Sequence, residues 1–370
     1  MRIALVISSL GAGGAERVLS DMANYWAAKG WAITLITIAG HETADFYVLE
    51  PSIERIRLGL AGDTKGPFQK LARNALKVRR LRKEIRGIKP NAVISFMDVN
   101  NILTILATAG LGLRVIVSER SDPVMNTTLG KVWGWLRILL YRNASAVIGQ
   151  TEAASKWLKK NCQAKAVTIP NPLRQLPLLQ IPREKFVLSV GRLSNEKGFD
   201  TVLNAFAHIR SQFPDWRLII LGQGPQKTAL GQLIKTLGIS SAVDLPGNVR
   251  YPEEWMARAG LVVQASRFEG FPNVIMEAMA MGAPVIATDC RSGPSELIRD
   301  QDNGRLVPVD DASKLAEVMA ELMADDKKRE RLGQSAMQIK ARYAQDKIMP
   351  SWEALLPTLK TTLSKQRTSE

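Results

Sequence analysis

The feature that most limits this chain is a rhythm of short apolar runs that restarts halfway along. RIALVISS (2–9), AITLITIAG (32–40), AVISFMD (92–98), RVIVSE (114–119) and AVIGQ (146–150) are separated by segments long enough for helices. IPNPLRQLPLLQIPRE (169–184) then interrupts with four prolines and no period, as an inter-domain linker does. The rhythm resumes with FVLSVGRL (186–193), RLIILGQG (217–224), VDLPG (243–247), LVVQAS (261–266) and PVIATD (284–289). Runs that are apolar on both faces suit strands of a parallel sheet covered by helices on both sides. Strand–helix alternation of this kind is the pattern of doubly wound α/β domains. With 370 residues, more than one core is expected. The sequence therefore predicts two Rossmann-like parallel-sheet domains, 1–175 and 176–345, facing a cleft. A closing helix and polar tail over 346–370 follow from the weak amphipathic pattern of Ile348, Trp352, Leu355 and Leu359. Ligands of such sheets bind at the C-terminal ends of the strands, so the residues just after each run become the candidates.

Composition narrows the class. Cys162 and Cys290 lie far apart, which fits a reducing, cytoplasmic compartment better than a disulfide framework. With His41 and His208 as the only histidines and no carboxylates clustered near them, no metal site is expected. The N-terminal MRIALVISSLGAGG has too short an apolar run for a secretory leader and reads as a first buried strand. The stretch Ile102–Val117 is broken by Thr104, Thr108 and Arg114, so no membrane span is expected. The net charge of +15 is lopsided: residues 1–175 hold 25 Lys/Arg against 12 Asp/Glu, and residues 176–370 hold 25 against 23. The first half should face something anionic.

Three motifs follow strands. Gly11-Ala12-Gly13-Gly14-Ala15-Glu16-Arg17 suits close backbone approach to a phosphate at a helix N-terminus, and equally a plain tight turn. It lacks the third glycine of the dinucleotide fingerprint, and strand two ends without an acid, which disfavours a nicotinamide cofactor. Gly191-Arg192-Leu193-Ser194-Asn195-Glu196-Lys197-Gly198 offers a planar fork and a point charge on a glycine-bounded loop, as a diphosphate requires. The third runs from Ser266 to Pro284. A Gly/Pro loop carries Glu269, a helix begins near Pro272 or Asn273, and Glu277 falls one turn in. Two glutamates eight apart are weak on their own. The small and apolar run Ala278–Pro284 predicts a buried helix, so Glu277 needs a partner, for which a ribose diol is suited.

In this order, GGAER (13–17), IPNP (169–172), GRLSNEKGFD (191–200), LGQGP (221–225), Glu269…Glu277 and EAMAMGAPVIATD (277–289) resemble the retaining GT-B glycosyltransferases of family 4. The resemblance covers most of the chain. It implies a nucleotide-sugar donor, UDP-linked in most bacterial members, with no metal or other cofactor. It implies that Arg192 and Lys197 hold the donor diphosphate and Glu277 the ribose. Glu269 and the backbone of Gly270, Phe271, Pro272, Asn273 and Val274 would grip the transferred sugar. Gly14 would close over the phosphates, and Val249 would contact the base. Glu269, Arg192 and Lys197 are the catalytic candidates. Positioned cations then stabilise charge on the leaving diphosphate.

Gly13, Glu16, Arg17, Glu119 and Arg120 are the acceptor-side candidates, though Glu119 and Arg120 equally suit a salt-bridged pair at a strand end. The basic excess concentrates in Pro67–Lys89. There Phe68, Leu71, Ala75, Val78, Leu81, Ile85 and Ile88 form one helical stripe, with Lys70, Arg73, Lys77, Arg80 and Lys83 opposite. A face of one sign suggests an anionic membrane surface. Trp133, Trp135, Leu136, Leu139 and Leu140 read as core, with a membrane-facing role as the lesser alternative. The expected function is a peripheral enzyme at the inner face of the plasma membrane. It would move a hexose or N-acetylhexosamine to an undecaprenyl-diphosphate oligosaccharide or, alternatively, to a lipopolysaccharide core. The rivals are a nucleic-acid-binding protein and a non-catalytic nucleotide-sugar sensor. Aromatics are not interleaved with the basic residues, which argues against nucleic acid.

Overall fold

The computed structural model describes residues 1–39, 45–60, 66–125, 129–177, 179 and 181–358; His41, Leu359 and the SKQRTSE tail fall outside them. The first sheet contains β1 (Arg2–Ile7), β2 (Ala32–Thr37), β3 (Glu54–Arg57), β4 (Ala92–Phe96), β5 (Arg114–Ser118), β6 (Ala146–Gly149) and β7 (Ala166–Thr168). All pair in parallel, in the order β3-β2-β1-β4-β5-β6-β7. The second contains β8 (Glu184–Val190), β9 (Arg217–Leu221), β10 (Val243–Gly247), β11 (Ala259–Gln264), β12 (Val285–Thr288) and β13 (Arg305–Val307), in the order β10-β9-β8-β11-β12-β13. Strand order reverses between β1 and β4 and between β8 and β11. These are the switch points where a crevice opens at the strand ends. Both sheets are of the doubly wound, GT-B kind.

Around the first sheet stand α1 (Gly14–Ala28) on one face and α2 (Pro67–Ile88), α3 (Asp98–Thr108), α4 (Lys131–Leu140) and α5 (Glu152–Cys162) on the other. The second sheet carries α6 (Phe199–Ile209), α7 (Lys227–Thr236), α8 (Pro252–Arg258), α9 (Asn273–Ala280), α10 (Pro294–Leu297), α11 (Ala312–Ala324) and α12 (Asp326–Ala336). After α13 (Ile339–Tyr343), the chain returns as α14 (Gln345–Glu353) to the first sheet, beside α1. Trp352 packs 5.9 Å from the Phe96 ring, and Glu353 accepts hydrogen bonds from Trp26 Nε1 (3.2 Å) and Lys29 Nζ (2.7 Å). The Pro-rich linker is not a loose tether. Leu173 N donates to Tyr343 O at 2.7 Å, and Arg174 pairs with Glu253 at 2.7 Å.

Two surface features go beyond what helical spacing alone gives. The stripe on α2 is buried only in its second half, where Leu81 and Ile85 pack on the sheet; Phe68 is 86% exposed and Leu71 70%. The cause is length. A helix of 22 residues spans about 33 Å, whereas strands of five or six residues span about 17–20 Å. The first turns therefore overhang the sheet. On α4, Trp133 is half-buried, but Trp135 is 62% exposed and Val132 69%, so this segment is not simply core.

Candidate active site

The second domain builds its half of the site from two loops. After β8 the chain turns through Gly191–Gly198, with a short 3-10 turn at Asn195–Lys197. Gly198 has φ +61°, and a Cβ there would lie 2.0 Å from Ala265 O, so only glycine lets the two loops meet. Arg267 ties them, bonding Asn195 O (2.5 Å) and the carboxylates of Asp200 (2.7 Å) and Asp310 (2.8 Å). Lys197 Nζ thereby reaches Glu269 Oε1 at 2.6 Å, and Ser266 Oγ donates to the same oxygen at 2.7 Å. Arg192 stands exposed on the first loop. Phe271 is buried against Tyr343, and α9 starts at Asn273 as expected, with Val274 half-buried. Val249, half-buried, packs at the edge of the core after β10.

The first domain closes against these loops. A Cβ on Gly14 would sit 3.3 Å from Asn273 Nδ2, and one on Gly270 would sit 2.3 Å from Arg120 O. Asn171, from the IPNP segment, accepts from Arg120 Nη2 and Gln150 Nε2 (both 2.7 Å) and donates to Asn273 Oδ1 (2.7 Å). It thus links both domains across the cleft floor. It lies in the IPNP segment that carries the resemblance, but no charge or glycine there gave it a role. Asp122 and Ser292 make a second crossing at 3.3 Å. Gly13 caps α1, and the Glu16 carboxyl folds back so closely that a Cβ on Gly13 would overlap it. Burial raises the Glu16 carboxyl above its ordinary range.

Arg120 sits over Phe96, 4.1 Å from the ring centroid, and its Nε is buried with no hydrogen-bond partner among the described residues. Desolvation lowers its pKa to about 9. No carboxylate among the described residues lies within salt-bridge distance of it. Glu119 behaves differently. It is buried, its carboxylate bonded to Tyr141 Oη and 3.8 Å from Arg137, inside the helix layer. It therefore drops out of the acceptor-side set, and Glu119–Arg120 is not an ion pair. The reason is strand periodicity: Val115, Val117 and Glu119 point into the layer of α3, α4 and α5, whereas Ile116 and Arg120 point to the opposite face, where Phe96 packs.

Burial pushes the Glu119 carboxyl up from 4.5 to about 7. The folded state then binds this proton more readily than the unfolded one. Its contribution to stability is present below pH 4.5 and lost as pH rises through 7, at up to about 1.4 kcal/mol per pH unit. Glu119→Gln is expected to flatten this component, read as unfolding midpoints between pH 5 and 7.

Glu277 is 2% exposed, as the apolar run predicts, but its partner here is protein. Arg17 Nη1 donates to Glu277 Oε2 at 3.0 Å, and its other nitrogen reaches Oε1. Arg174 stands 3.8 Å away. Arg17 is therefore an inter-domain contact to the acid expected at the ribose. Nothing in the sequence pairs them, since they lie 260 residues apart. Nearby Asp21 is raised by burial to about 6. Among the described residues no group of three or more His, Cys, Asp and Glu is placed to share a metal ion.

Two facing parallel-sheet domains, with a last helix returning to the first, define the GT-B architecture. Residues 12–174 match the description Glycosyltransferase Family 4, and residues 177–339 match Glycosyl transferases group 1. The N-acetylgalactosamine-N,N'-diacetylbacillosaminyl-diphospho-undecaprenol 4-alpha-N-acetylgalactosaminyltransferase of Campylobacter jejuni is 30% identical over 89% of this chain and 92% of its own length. A second C. jejuni enzyme, which acts on a GalNAc-GalNAc-diNAcBac-PP-undecaprenol, is 29% identical over 97% and 99%. An exopolysaccharide phosphotransferase of Streptomyces coelicolor is 35% identical, but over 58% of this chain and only 23% of its own length. Sucrose-phosphate synthase from Thermosynechococcus elongatus shares the fold with TM-score 0.83 at 22% identity, over 96% of this chain and 98% of that one. Anabaena HepE in complex with UDP and glucose does so with TM-score 0.77 at 21%, over 95% and 98%. The chain belongs to the group 1, family 4 glycosyltransferases.

Proposed function

We propose that this glycosyltransferase moves a hexose or N-acetylhexosamine from a UDP-sugar to an undecaprenyl-diphosphate-linked oligosaccharide, with retention, at the cytoplasmic face of the plasma membrane. The observation that carries the proposal is the Lys197–Glu269 pair at 2.6 Å, set where Gly270 meets Arg120 of the other domain. A cation and an acid held at a domain junction suit a diphosphate and a sugar lying side by side. The two C. jejuni relatives, whose names specify undecaprenyl-diphosphate acceptors, support the acceptor class.

In the proposed reaction an acceptor hydroxyl approaches the anomeric carbon on the face the diphosphate leaves. The new C–O bond forms as the bond to the diphosphate oxygen breaks. That oxygen keeps the electron pair and takes the hydroxyl proton. Lys197 and Arg192 stabilise the charge building on the diphosphate, the task assigned elsewhere to an oxyanion hole. Glu269 orients the sugar, Glu277 accepts from the ribose hydroxyls once Arg17 releases one of its carboxylate oxygens, and Val249 borders the base. Gly14 closes the first domain over the phosphates, with Gly13 and Glu16 on the acceptor side. A panel of UDP- and GDP-sugars tests the donor assignment. Release of UDP from one UDP-sugar is expected, and binding of no nucleotide sugar would contradict it.

Among the described residues no helix is long and apolar enough to cross a membrane. Attraction to the bilayer is assigned to α2, where Lys70, Arg80 and Lys83 are exposed and Arg73 and Lys77 half-buried. Replacing all five by glutamine is expected to weaken binding to phosphatidylglycerol vesicles roughly 100-fold at low salt, read by flotation.

A further inference from the structure

We infer that the cleft-side turns of α2 and α4 insert into the headgroup–acyl boundary of an anionic bilayer, seating the enzyme with its cleft mouth at the membrane. The inference rests on the membrane reading above and adds penetration and orientation to it. Phe68 and Leu71 stand exposed three residues apart on the overhanging turns of α2. Val132, Trp135 and Ile138 stand exposed three apart on α4. Both helices belong to one layer, with α3 between them. Soluble surfaces seldom gather large apolar side chains in this way, and an amphipathic indole suits the water–lipid boundary.

Charge selects the occupant. Within α2 the only acid is Glu84, and α4 has none; Lys70 and Lys131 flank the apolar residues and are exposed. A partner must be apolar and anionic together, and an anionic lipid surface is both.

Topology sets the orientation. A helix that follows a parallel strand starts at the C-terminal edge of the sheet, the edge where ligands bind. α2 follows β3, and α4 follows β5 by way of Arg120. Their first turns therefore lie on the cleft side. An acceptor anchored in the bilayer can then offer its glycan to the cleft while its lipid stays in the membrane.

The test uses the full chain, vesicles of phosphatidylglycerol and phosphatidylcholine with brominated acyl chains, and two variants, Val132→Ser/Trp135→Ser/Ile138→Ser and Phe68→Ser/Leu71→Ser. Wild-type tryptophan emission should be quenched by the bromolipid, and Trp135→Phe should remove most of that quenching. At high salt, where charge attraction is screened, each serine variant should bind vesicles about 10-fold more weakly or worse. UDP binding and transfer to a water-soluble acceptor should stay unchanged, while transfer to a long-chain acceptor in vesicles should fall about 10-fold. Vesicle binding without quenching, abolished by salt, would overturn insertion and leave electrostatic attraction standing. Absence of vesicle binding at every salt would sink the membrane reading as well. A dimer dispersed by the serine variants would show the surface to be a protein interface and overturn the inference.

Discussion

Lys197→Met is expected to lower kcat/KM by about 10²–10³-fold while leaving the fold intact. The lysine is held above Glu269 at 2.6 Å by a loop that Gly198 and Arg267 fix in place. Its charge is one of two assigned to the leaving diphosphate, and a single preorganised donor at a developing anion carries an effect of this size. The pair is largely buried, but Ser266 Oγ still donates to the Glu269 carboxylate, so its loss should cost stability about 1–3 kcal/mol, too little to unfold the domain. The rate loss should appear mainly in kcat, since the charge it meets grows during bond breaking. Lys197→Arg should not restore full activity, because a planar fork does not replace a point charge in a fixed loop. Steady-state kinetics with thermal unfolding as control separates these outcomes. A variant with normal kcat would remove Lys197 from the mechanism.

Gly270→Ala should be nearly as damaging, for a different reason. Its new methyl would lie 2.3 Å from Arg120 O, 2.8 Å from Arg120 C and 2.9 Å from Ser121 Cα. All three atoms are in the backbone of the other domain, so no side chain can swing aside. The domains must part, and a misplacement of about 1 Å at reacting groups costs roughly 10²-fold in rate. Because the contact lies between domains, the unfolding midpoint should hardly move. UDP affinity should change by less than about 3-fold, because the proposed nucleotide contacts lie mainly in the second domain. Gly14→Ala is the internal comparison. Its methyl would meet Asn273 Nδ2 at 3.3 Å, the end of a side chain that can shift by a few tenths of an ångström. A loss of about 10-fold or less is expected there. Equal losses for the two alanines would argue against domain closure as the cause.

Strands inside the sheets were legible because burial on both faces demands unbroken apolar runs, as in Ile3–Ile7 or Leu261–Val263. The edge strands β3, β7 and β13 were not. ERIR, AVT and RLV are short, have one neighbour each, and need no such run. The loop carrying Arg192 and Lys197 could be read from its glycines and its place after a strand. Glu119 and Arg120 looked alike as neighbours, and only the alternation of β5 separates a carboxyl sunk among helices from a guanidinium over Phe96. Helical spacing grouped Phe68 with Ile85 correctly on one side of α2. It could not tell how far the sheet extends beneath, which strand length decides. Arg17 with Glu277 and Asn171 with Asn273 arise only when two domains dock, and no local pattern encodes that meeting.

In the proposed function the cleft transfers a sugar from UDP to a lipid-linked glycan with retained configuration. The most direct measurement incubates the enzyme with a UDP-sugar and an undecaprenyl-diphosphate oligosaccharide in vesicles, and reads the anomeric configuration of the product by NMR. One new α-linkage from an α-configured donor is expected, with one UDP released per sugar moved. An inverted linkage, or UDP bound tightly with no transfer to any lipid-linked acceptor, would contradict it.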